Sequence, residues 1–234
     1  KSLLSDLNHT SQKGLQTIFD SSVGRSTVNH PIGGRYQITP TEASVQKLPV
    51  EHGKTETVSV MAQGYNPYVA AWSPYHGAAY AVIEATARLV AAGSDWSKAR
   101  FSYQEYFERM DKQAERFGQP VSALLGSIEA QIQLGLPSIG GKDSMSGTFE
   151  ELTVPPTLVA FGVTTSTAGR ILSPEFKAAG ESIYYLPGQF LSQDIDFDLI
   201  KNNFENFAAI QDKYEITAAA AVKYGGLAES LALM

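Results

Sequence analysis

The chain has 234 residues, 43% of them hydrophobic and 18% charged, which is enough to bury a sizeable core. Its formal net charge is −6 and it has no dense cluster of Lys and Arg, which argues against a nucleic-acid partner. It contains no cysteine, which excludes disulfides, thiol nucleophiles and thiolate metal sites. With no signal-peptide pattern and no apolar run of the roughly 20 residues that cross a bilayer, we expect a cytoplasmic protein without a membrane partner.

The N-terminal part of the chain predicts two helices with strand signals between them. Residues 1–20 indicate a short helix, and the glycines and prolines that follow it indicate turns. Residues 42–50 fit either a strand or a short helix, whereas the alternating, β-branched residues 55–62 predict a strand. An alanine-rich helix begins near His76 and ends at Gly93, and its nearly all-round apolar surface predicts that it is buried.

The middle of the chain predicts two more helices, a glycine-rich loop and a central strand. Apolar side chains recur at helical spacing in residues 102–117, so we predict a polar amphipathic helix there. Residues 119–134 predict a second helix, which ends before Gly135. Residues 135–149, GLPSIGGKDSMSGTF, indicate a loop, and the apolar run at 155–166 indicates a central strand.

A change of composition after Ser166 predicts that a second domain begins near residue 170. Residues 182–188 fit a strand, and an acidic stretch follows it. The final residues, 225–234, form an apolar pattern with no capping signal, from which we expect a fragment of a longer protein. Helix and strand signals alternate without a Rossmann fingerprint, so the predicted fold class is mixed α/β or α+β.

The stretch GGKDS in the predicted loop is not a P-loop. That motif needs a glycine six residues before its lysine and Ser or Thr after it, but Leu136 and Asp143 occupy these positions around Lys142. Two interpretations stay open from the residues alone. Either Lys142 binds a phosphate and Asp143 holds Mg²⁺, or the glycines only form a turn. Catalytic residues stay unknown, because no Ser-His-Asp set can be assembled and the histidines share no metal-ligand spacing; they are His9, His30, His52 and His76.

Residues 140–166 carry a resemblance to a known family. GGKDSMSGTF, followed by LTVPPTLVAFGVTTS, resembles phosphoribosylformylglycinamidine synthase of the large single-chain type, second synthetase half. That family belongs to the superfamily of aminoimidazole ribonucleotide synthetase. Residues 19–49 and 76–93, with HGAAYAVIEATARLVAAG in the second range, fall where the family has its Val-Gly turn and its alanine-rich helix.

The resemblance implies an ATP- and glutamine-dependent ligase of de novo purine biosynthesis. Such an enzyme uses ATP to phosphorylate the amide oxygen of formylglycinamide ribonucleotide, and ammonia from a glutaminase domain then displaces the phosphate. Its synthetase core has two related halves whose N-terminal domains pair their sheets into a barrel-like interface. The implied partners are therefore the first synthetase half and the glutaminase domain. An isolated fragment is expected either to self-associate, as in a homodimer, or to expose one face of its N-terminal sheet.

The resemblance also implies domain boundaries. Residues 1–25 would be the tail of a preceding region, 26–168 the N-terminal, barrel-forming synthetase domain, and 170–234 a truncated C-terminal α/β domain. The first half with its own catalytic residues is absent from this sequence, so we expect the fragment to be inactive alone.

In this family the second half holds a structural nucleotide with Mg²⁺, so the expected cofactors are ATP or ADP and Mg²⁺. Glu84 matches a helix carboxylate beside nucleotide and metal, but Arg88 stands where the family commonly has Asn. Ala221 and Lys223 stand in a stretch where the family commonly has carboxylates. A permanent cation cannot coordinate a metal, so Arg88 is predicted to replace the ion beside Glu84. The implied nucleotide-binding loop is Gly140, Gly141, Lys142, Asp143 and Ser144.

Three hypotheses follow. The chain is a piece of the ATP-dependent ligase, or a scaffold domain that completes the barrel-like interface without binding a nucleotide, or an unrelated α/β domain with a similar loop. The length of the match over residues 137–166 disfavours the third hypothesis. Binding of ATP and Mg²⁺ separates the first from the second.

Overall fold

The computed structural model describes residues 10–11, 13–18, 24–188 and 193–234. In these ranges the fold is mixed α/β and contains ten strands and six α-helices. The strands are β1 (Thr27–Asn29), β2 (Ile32–Gly33), β3 (Thr39–Pro40), β4 (Ser44–Lys47), β5 (Thr57–Gly64), β6 (Arg100–Tyr106), β7 (Ser138–Ser144), β8 (Thr148–Phe149), β9 (Leu152–Thr153) and β10 (Thr157–Thr167). The helices are α1 (Lys13–Gln16), α2 (Pro67–Trp72), α3 (Pro74–Ala91), α4 (Ala114–Leu134), α5 (Phe197–Lys213) and α6 (Gly226–Leu233).

Six of the strands form one open sheet in the order β1-β4-β5-β10-β6-β7. The pairs are antiparallel except for β6 and β7, which are parallel. Because β10 runs antiparallel to both β5 and β6, the strands β5, β6 and β7 all point the same way. Their C-terminal ends therefore lie at one end of the sheet, which is the end where the candidate site residues are found.

The core lies between one face of the sheet and the helices α3 and α4. Strand β5 alternates buried and exposed residues, and its buried side chains include Val58 and Val60. Helix α3 packs closely on this face, since a Cβ added to Gly64 would lie 2.1 Å from the carbonyl oxygen of Ala81. The many alanines of α3 allow this approach, because a larger side chain would hold the helix away from the strand.

Helix α3 begins where the sequence directs it to begin. The side chain of Ser73 accepts a hydrogen bond from the backbone N–H of His76, and Pro74 occupies the first helical turn, where a missing N–H costs nothing. Helix α4 ends at Gly135, whose φ of 70° suits glycine. The sequence predicted both helices, although α4 begins earlier than expected and contains Pro120 in its second turn.

The predicted helix at 102–117 and the predicted strand at 182–188 were wrong, and the predicted loop at 135–149 was only partly right. The predicted helix at 102–117 is strand β6 followed by an extended segment, and α4 begins only at Ala114. The predicted loop at 135–149 contains strand β7, and residues 182–188 form no regular strand. The strands predicted at 55–62 and 155–166 are present as β5 and β10, which are adjacent in the sheet.

Helix α5 packs against the sheet domain through an aromatic contact. The ring centroids of Trp96 and Phe204 are 5.4 Å apart in an edge-to-face arrangement, and both side chains are buried. The predicted division into residues 26–168 and 170–234 stays a prediction. Among the described helices, none is long and apolar enough to cross a membrane.

Candidate functional site

The GGKDS stretch lies on β7, the edge strand beside β6. Its two glycines have backbone roles. Gly140 has a φ of 142°, which L side chains rarely adopt, and it follows an irregularity where β7 gains one residue relative to β6. At Gly141 an added Cβ would lie 2.7 Å from the carbonyl oxygen of Tyr103, so only glycine lets the two strands pair here. The glycines thus shape an edge strand, which is neither of the two interpretations that the sequence left open.

The charged residues of the stretch leave β7 on opposite faces. Lys142 pairs in register with Gln104, and Asp143 pairs with Glu105. Because side chains alternate along a strand, Lys142 lies on the face away from the helices and Asp143 on the face toward them. The side-chain amide of Gln104 donates to the carbonyl oxygen of Lys142 at 3.0 Å, which fixes the register. One ligand could contact both charges only by crossing the edge of the sheet.

Asp143 adjoins Glu105, whose carboxylate has no hydrogen-bond or ion-pair partner among the described residues. Glu105 is only 6% exposed, and among the described residues no donor hydrogen-bonds to it and no cation pairs with it. Burial raises the pKa of Glu105 above its usual value, and the charge of Asp143 raises it further. Tyr103, two residues earlier on the same face, is also 6% exposed, and its hydroxyl has no hydrogen-bond partner in the described part of the chain. Burial raises the pKa of Tyr103, with Glu105 adding to the effect.

Glu84 belongs to a different cluster, which is rich in cations. Arg88 lies one turn further along α3, and its guanidinium is 3.8 Å from Glu84 and 3.2 Å from the carboxylate of Glu42. The ammonium of Lys223 lies 2.7 Å from the other carboxylate oxygen of Glu42. Glu42 is almost fully buried, with its side chain 4% exposed. Two carboxylates and two cations therefore compensate one another in a largely buried position.

Arg88 also ties three backbone segments together. Its Nε donates to the carbonyl oxygen of Glu42 at 3.1 Å, and a terminal nitrogen donates to the carbonyl oxygen of Gln63 at 3.0 Å. Since the single Nε hydrogen is directed to that carbonyl, Glu42 Oε2 has a charge partner but no hydrogen-bond donor. Burial raises the pKa of Glu84, while Arg88 and then Lys223 lower it and Glu42 raises it.

The structure separates the residues that the sequence analysis grouped into one site. Gly140, Gly141, Lys142, Asp143 and Ser144 lie together on β7, whereas Glu84 lies beside the C-terminal end of β5. Strands β10 and β6 lie between them, so the two groups are roughly 14 Å apart at strand spacings of about 4.8 Å. They share the same end of the sheet, but no single metal ion could bind both.

The Glu84 cluster does not fit a Mg²⁺ ion. Mg²⁺ requires octahedral oxygen ligands at about 2.0–2.1 Å. The carboxylates of Glu42 and Glu84 instead face Arg88 and Lys223, whose nitrogens have no lone pair to offer and whose charges repel a dication. Among the described residues, no three His, Asp or Glu side chains converge as a metal site. No step of a reaction can therefore be assigned to a metal at Glu84.

Sequence reasoning missed Glu42, Glu105 and Tyr103. No sequence pattern around Glu42 indicates that it belongs to a site, because its partners Arg88 and Lys223 are far away in the chain. Glu105 did leave a signal. Phe101, Tyr103, Glu105 and Phe107 alternate with exposed or half-buried residues, so reading β6 as a strand would have placed an acid on its apolar face.

The fold is that of PurL proteins of known structure. PurL of Thermotoga maritima complexed with AMPPCP superposes with a TM-score of 0.64 at 16% identity, over 89% of this chain and 32% of that chain. The complex of the same protein with FGAR gives a TM-score of 0.60 at 15% identity, over 86% of this chain and 29% of that one. Phosphoribosylformylglycinamidine synthase II of T. maritima gives 0.57 at 16% identity, over 81% and 28%.

These similarities establish the fold alone. No protein-family model matches the sequence, and no curated protein matches it. The chain spans about a third of the length of the PurL chains it resembles.

Proposed function

We propose that this chain is a synthetase-type domain of an ATP-dependent ligase of the phosphoribosylformylglycinamidine synthase type, which converts formylglycinamide ribonucleotide to its amidine. The observation that carries the proposal is the match of the fold to PurL over 89% of this chain. PurL structures of that fold are complexed with ATP, with ADP and with FGAR. The GGKDSMSGTF stretch adds support, because it resembles the corresponding stretch in the second synthetase half of that family.

The proposed nucleotide-binding residues are Gly140 to Ser144 on β7. Lys142 is exposed at the sheet edge and has no ion-pair partner in the described part of the chain, so it can receive a phosphate group. The hydroxyl of Ser144 lies 3.0 Å from that of Ser146, which gives two neutral polar groups at the end of the same strand. Because the resemblance implies a structural nucleotide in this half, ATP bound here would stabilise the domain, and the ATP that phosphorylates the amide oxygen would bind to the other half of the complete enzyme.

The second candidate function is a scaffold domain without a nucleotide of its own. Arg88 and Lys223 favour it, because they place two permanent positive charges where the family resemblance implies a metal-bound nucleotide. In this case the domain would pack against the catalytic half of the complete enzyme. Contacts of Arg88 and Lys223 would then occupy the position beside Glu84 where the family has its metal ion.

The proposed partner surface is the face of the sheet that α3 and α4 do not cover. On this face Met61 and Val163 are exposed near the centre, Tyr106 is exposed at the end of β6, and Phe161 is half-buried. An apolar centre of this kind on a sheet is typical of an interface. We propose that a second synthetase-type domain covers it, with a glutaminase domain bound elsewhere, and that a copy of the same chain substitutes when the partner is absent. Light scattering that shows a monomer over a wide concentration range would count against this homodimer.

The ligase proposal is tested with the product of the complete gene that contains this sequence. Supplied with formylglycinamide ribonucleotide, ATP and ammonium, it should form ADP and amidine in equal amounts. The Lys142→Ala variant should lose at least tenfold in kcat/KM, while the matched control Lys98→Ala, at an exposed cation with a surface partner, should not change it. Absence of any substrate-dependent ADP formation by the unaltered protein would refute the ligase proposal.

Calorimetry distinguishes the two candidate functions. The 234-residue chain is titrated with AMPPCP and Mg²⁺. Binding that Lys142→Ala removes supports a nucleotide site on β7. Absence of binding, together with activity of the complete gene product, supports the scaffold.

A further inference from the structure

We infer that Glu105 and Asp143, with the hydroxyl of Tyr103 beside them, form a binding site for one hard divalent cation of the Mg²⁺ or Ca²⁺ class. The site lies on the helix-side face of the β6–β7 pair, at the C-terminal end of both strands. It is distinct from the Glu84 cluster, and it does not depend on the ligase proposal.

The first step is the position of the two carboxylates. Glu105 and Asp143 are register partners on parallel strands, so their side chains leave the same face of the sheet. Neighbouring strands are about 4.8 Å apart, which is a spacing that one cation can bridge with carboxylate oxygens. Burial raises the pKa of Glu105, and the nearby charge of Asp143 raises it further.

The second step is the absence of compensation. A buried carboxylate is normally paired with a cation or hydrogen-bonded, because removing its charge from water is costly. Glu105 has neither among the described residues, although it is 6% exposed. A second carboxylate beside Glu105 raises the cost of keeping both groups ionised when no cation is bound. The same pair of negative charges makes the binding of a dication more favourable.

The third step, which does not depend on the two carboxylates, is the environment of the Tyr103 hydroxyl. This hydroxyl is buried, lacks a hydrogen-bond partner in the described part of the chain, and lies on the same face two residues before Glu105. A buried hydroxyl without a partner is uncommon. Mg²⁺ keeps several of its waters when one or two carboxylates bind it, and such a water can donate a hydrogen bond to the oxygen of this hydroxyl.

The fourth step is access. Asp143 is exposed and β7 is an edge strand, so a hydrated ion can enter from the side of the sheet. Gly141, the register partner of Tyr103, packs directly against the Tyr103 backbone and adds no side chain over the tyrosine. Carboxylate oxygens and no sulfur or imidazole make the site one for a hard cation.

The test measures thermal unfolding of the chain in EDTA and then with MgCl₂, MnCl₂ or CaCl₂, against NaCl of equal ionic strength. At about ten times the dissociation constant, a bound cation should raise Tm by about 3–5 °C over the NaCl value. Glu105→Gln and Asp143→Asn should each abolish this rise. Glu151→Gln, which alters an exposed acid away from the pair, should retain it.

Calorimetry with MnCl₂ supplies a second measurement that does not depend on Tm. We expect one Mn²⁺ per chain, lost in both variants and kept in Glu151→Gln. A Tm rise no larger than that in NaCl, or one that survives Glu105→Gln, would overturn the proposal. Mn²⁺ binding of unchanged stoichiometry in both variants would overturn it as well.

Discussion

Two pairs of carboxylates at the same end of the sheet meet opposite charge environments. Glu42 and Glu84, beside β5, face Arg88 and Lys223 at 2.7–3.8 Å. The acids beside β7 face no cation among the described residues. The comparison separates two ways to meet the cost of a buried acid: the first pair is compensated by the protein itself, and for the second pair we propose an ion from solution.

The two pairs also differ in where their compensation comes from. Glu42 is neutralised by side chains that are distant in sequence, one of them in the C-terminal segment. The ring of Tyr224 stacks on that of Tyr68 with centroids 4.9 Å apart, next to the contact between Lys223 and Glu42. Lys223 and Tyr224 therefore also fasten this part of the C-terminal segment to the sheet domain.

The largest effect should come from removing the guanidinium. Arg88→Ala leaves Glu42 and Glu84 buried without their shared cation and removes hydrogen bonds to two backbone carbonyls. Breaking a buried ion pair from one side costs about 3–5 kcal/mol, so we expect a loss of that size in the free energy of unfolding. Urea denaturation measures it.

Arg170→Ala is the matched control. Arg170 pairs with Asp212 on the surface, where both side chains are well exposed, and such pairs contribute about 0–1 kcal/mol. If Arg88→Ala were no more destabilising than Arg170→Ala, the cluster would not be the compensated pair described above.

The next largest effect, the change in the free energy of unfolding when one Glu is replaced by Gln, should have opposite signs in the two pairs. In EDTA, Glu105→Gln removes a charge that has no partner in the described part of the chain, so we expect the free energy of unfolding to rise by about 1 kcal/mol. Glu42→Gln should lower it, because Arg88 and Lys223 lose their counter-charge. Thermal unfolding at constant pH compares the two variants. A loss of stability in both would show that Glu105 has a partner in the folded protein.

The smallest effect should come from Tyr103→Phe. The substitution keeps the ring in place and removes a buried hydroxyl that has no partner among the described residues. We expect stability in EDTA to stay the same or rise by up to about 1 kcal/mol. With the cation present, the gain should disappear, because the hydroxyl then contacts a bound water. A clear loss of stability in EDTA would contradict this assignment.

The sequence predicted the framework better than the site. The alanine-rich helix α3 and the strands β5 and β10 were found because each has one dominant period and clear ends. Strand β6 was missed because Tyr103, Tyr106, Phe107 and Met110 recur at helical spacing, while Phe101, Tyr103, Glu105 and Phe107 alternate as in a strand. The local pattern fits both structures, and only pairing with β10 and β7 decides between them.

The position of Arg88 beside Glu84 was predicted from the family resemblance, it fits their spacing of four residues on one helix, and the structure shows the pair at 3.8 Å. The closer partner of Arg88, Glu42, could not be found in this way, because the contact joins an irregular segment before β4 to α3. The glycines of GGKDS suggested a ligand loop or a turn, since both need glycine. Their role in the approach of β7 to β6 becomes visible only when the partner strand is known.

The central claim is that these two acidic pairs differ in their need for a cation, and the most direct test is the anomalous map of a crystal soaked in MnCl₂. We predict a single Mn²⁺ peak beside Glu105 and Asp143, with Arg88 still in contact with Glu42 and Glu84. Mn²⁺ bound to Glu84, or no peak beside Glu105 at saturating MnCl₂, would contradict the account.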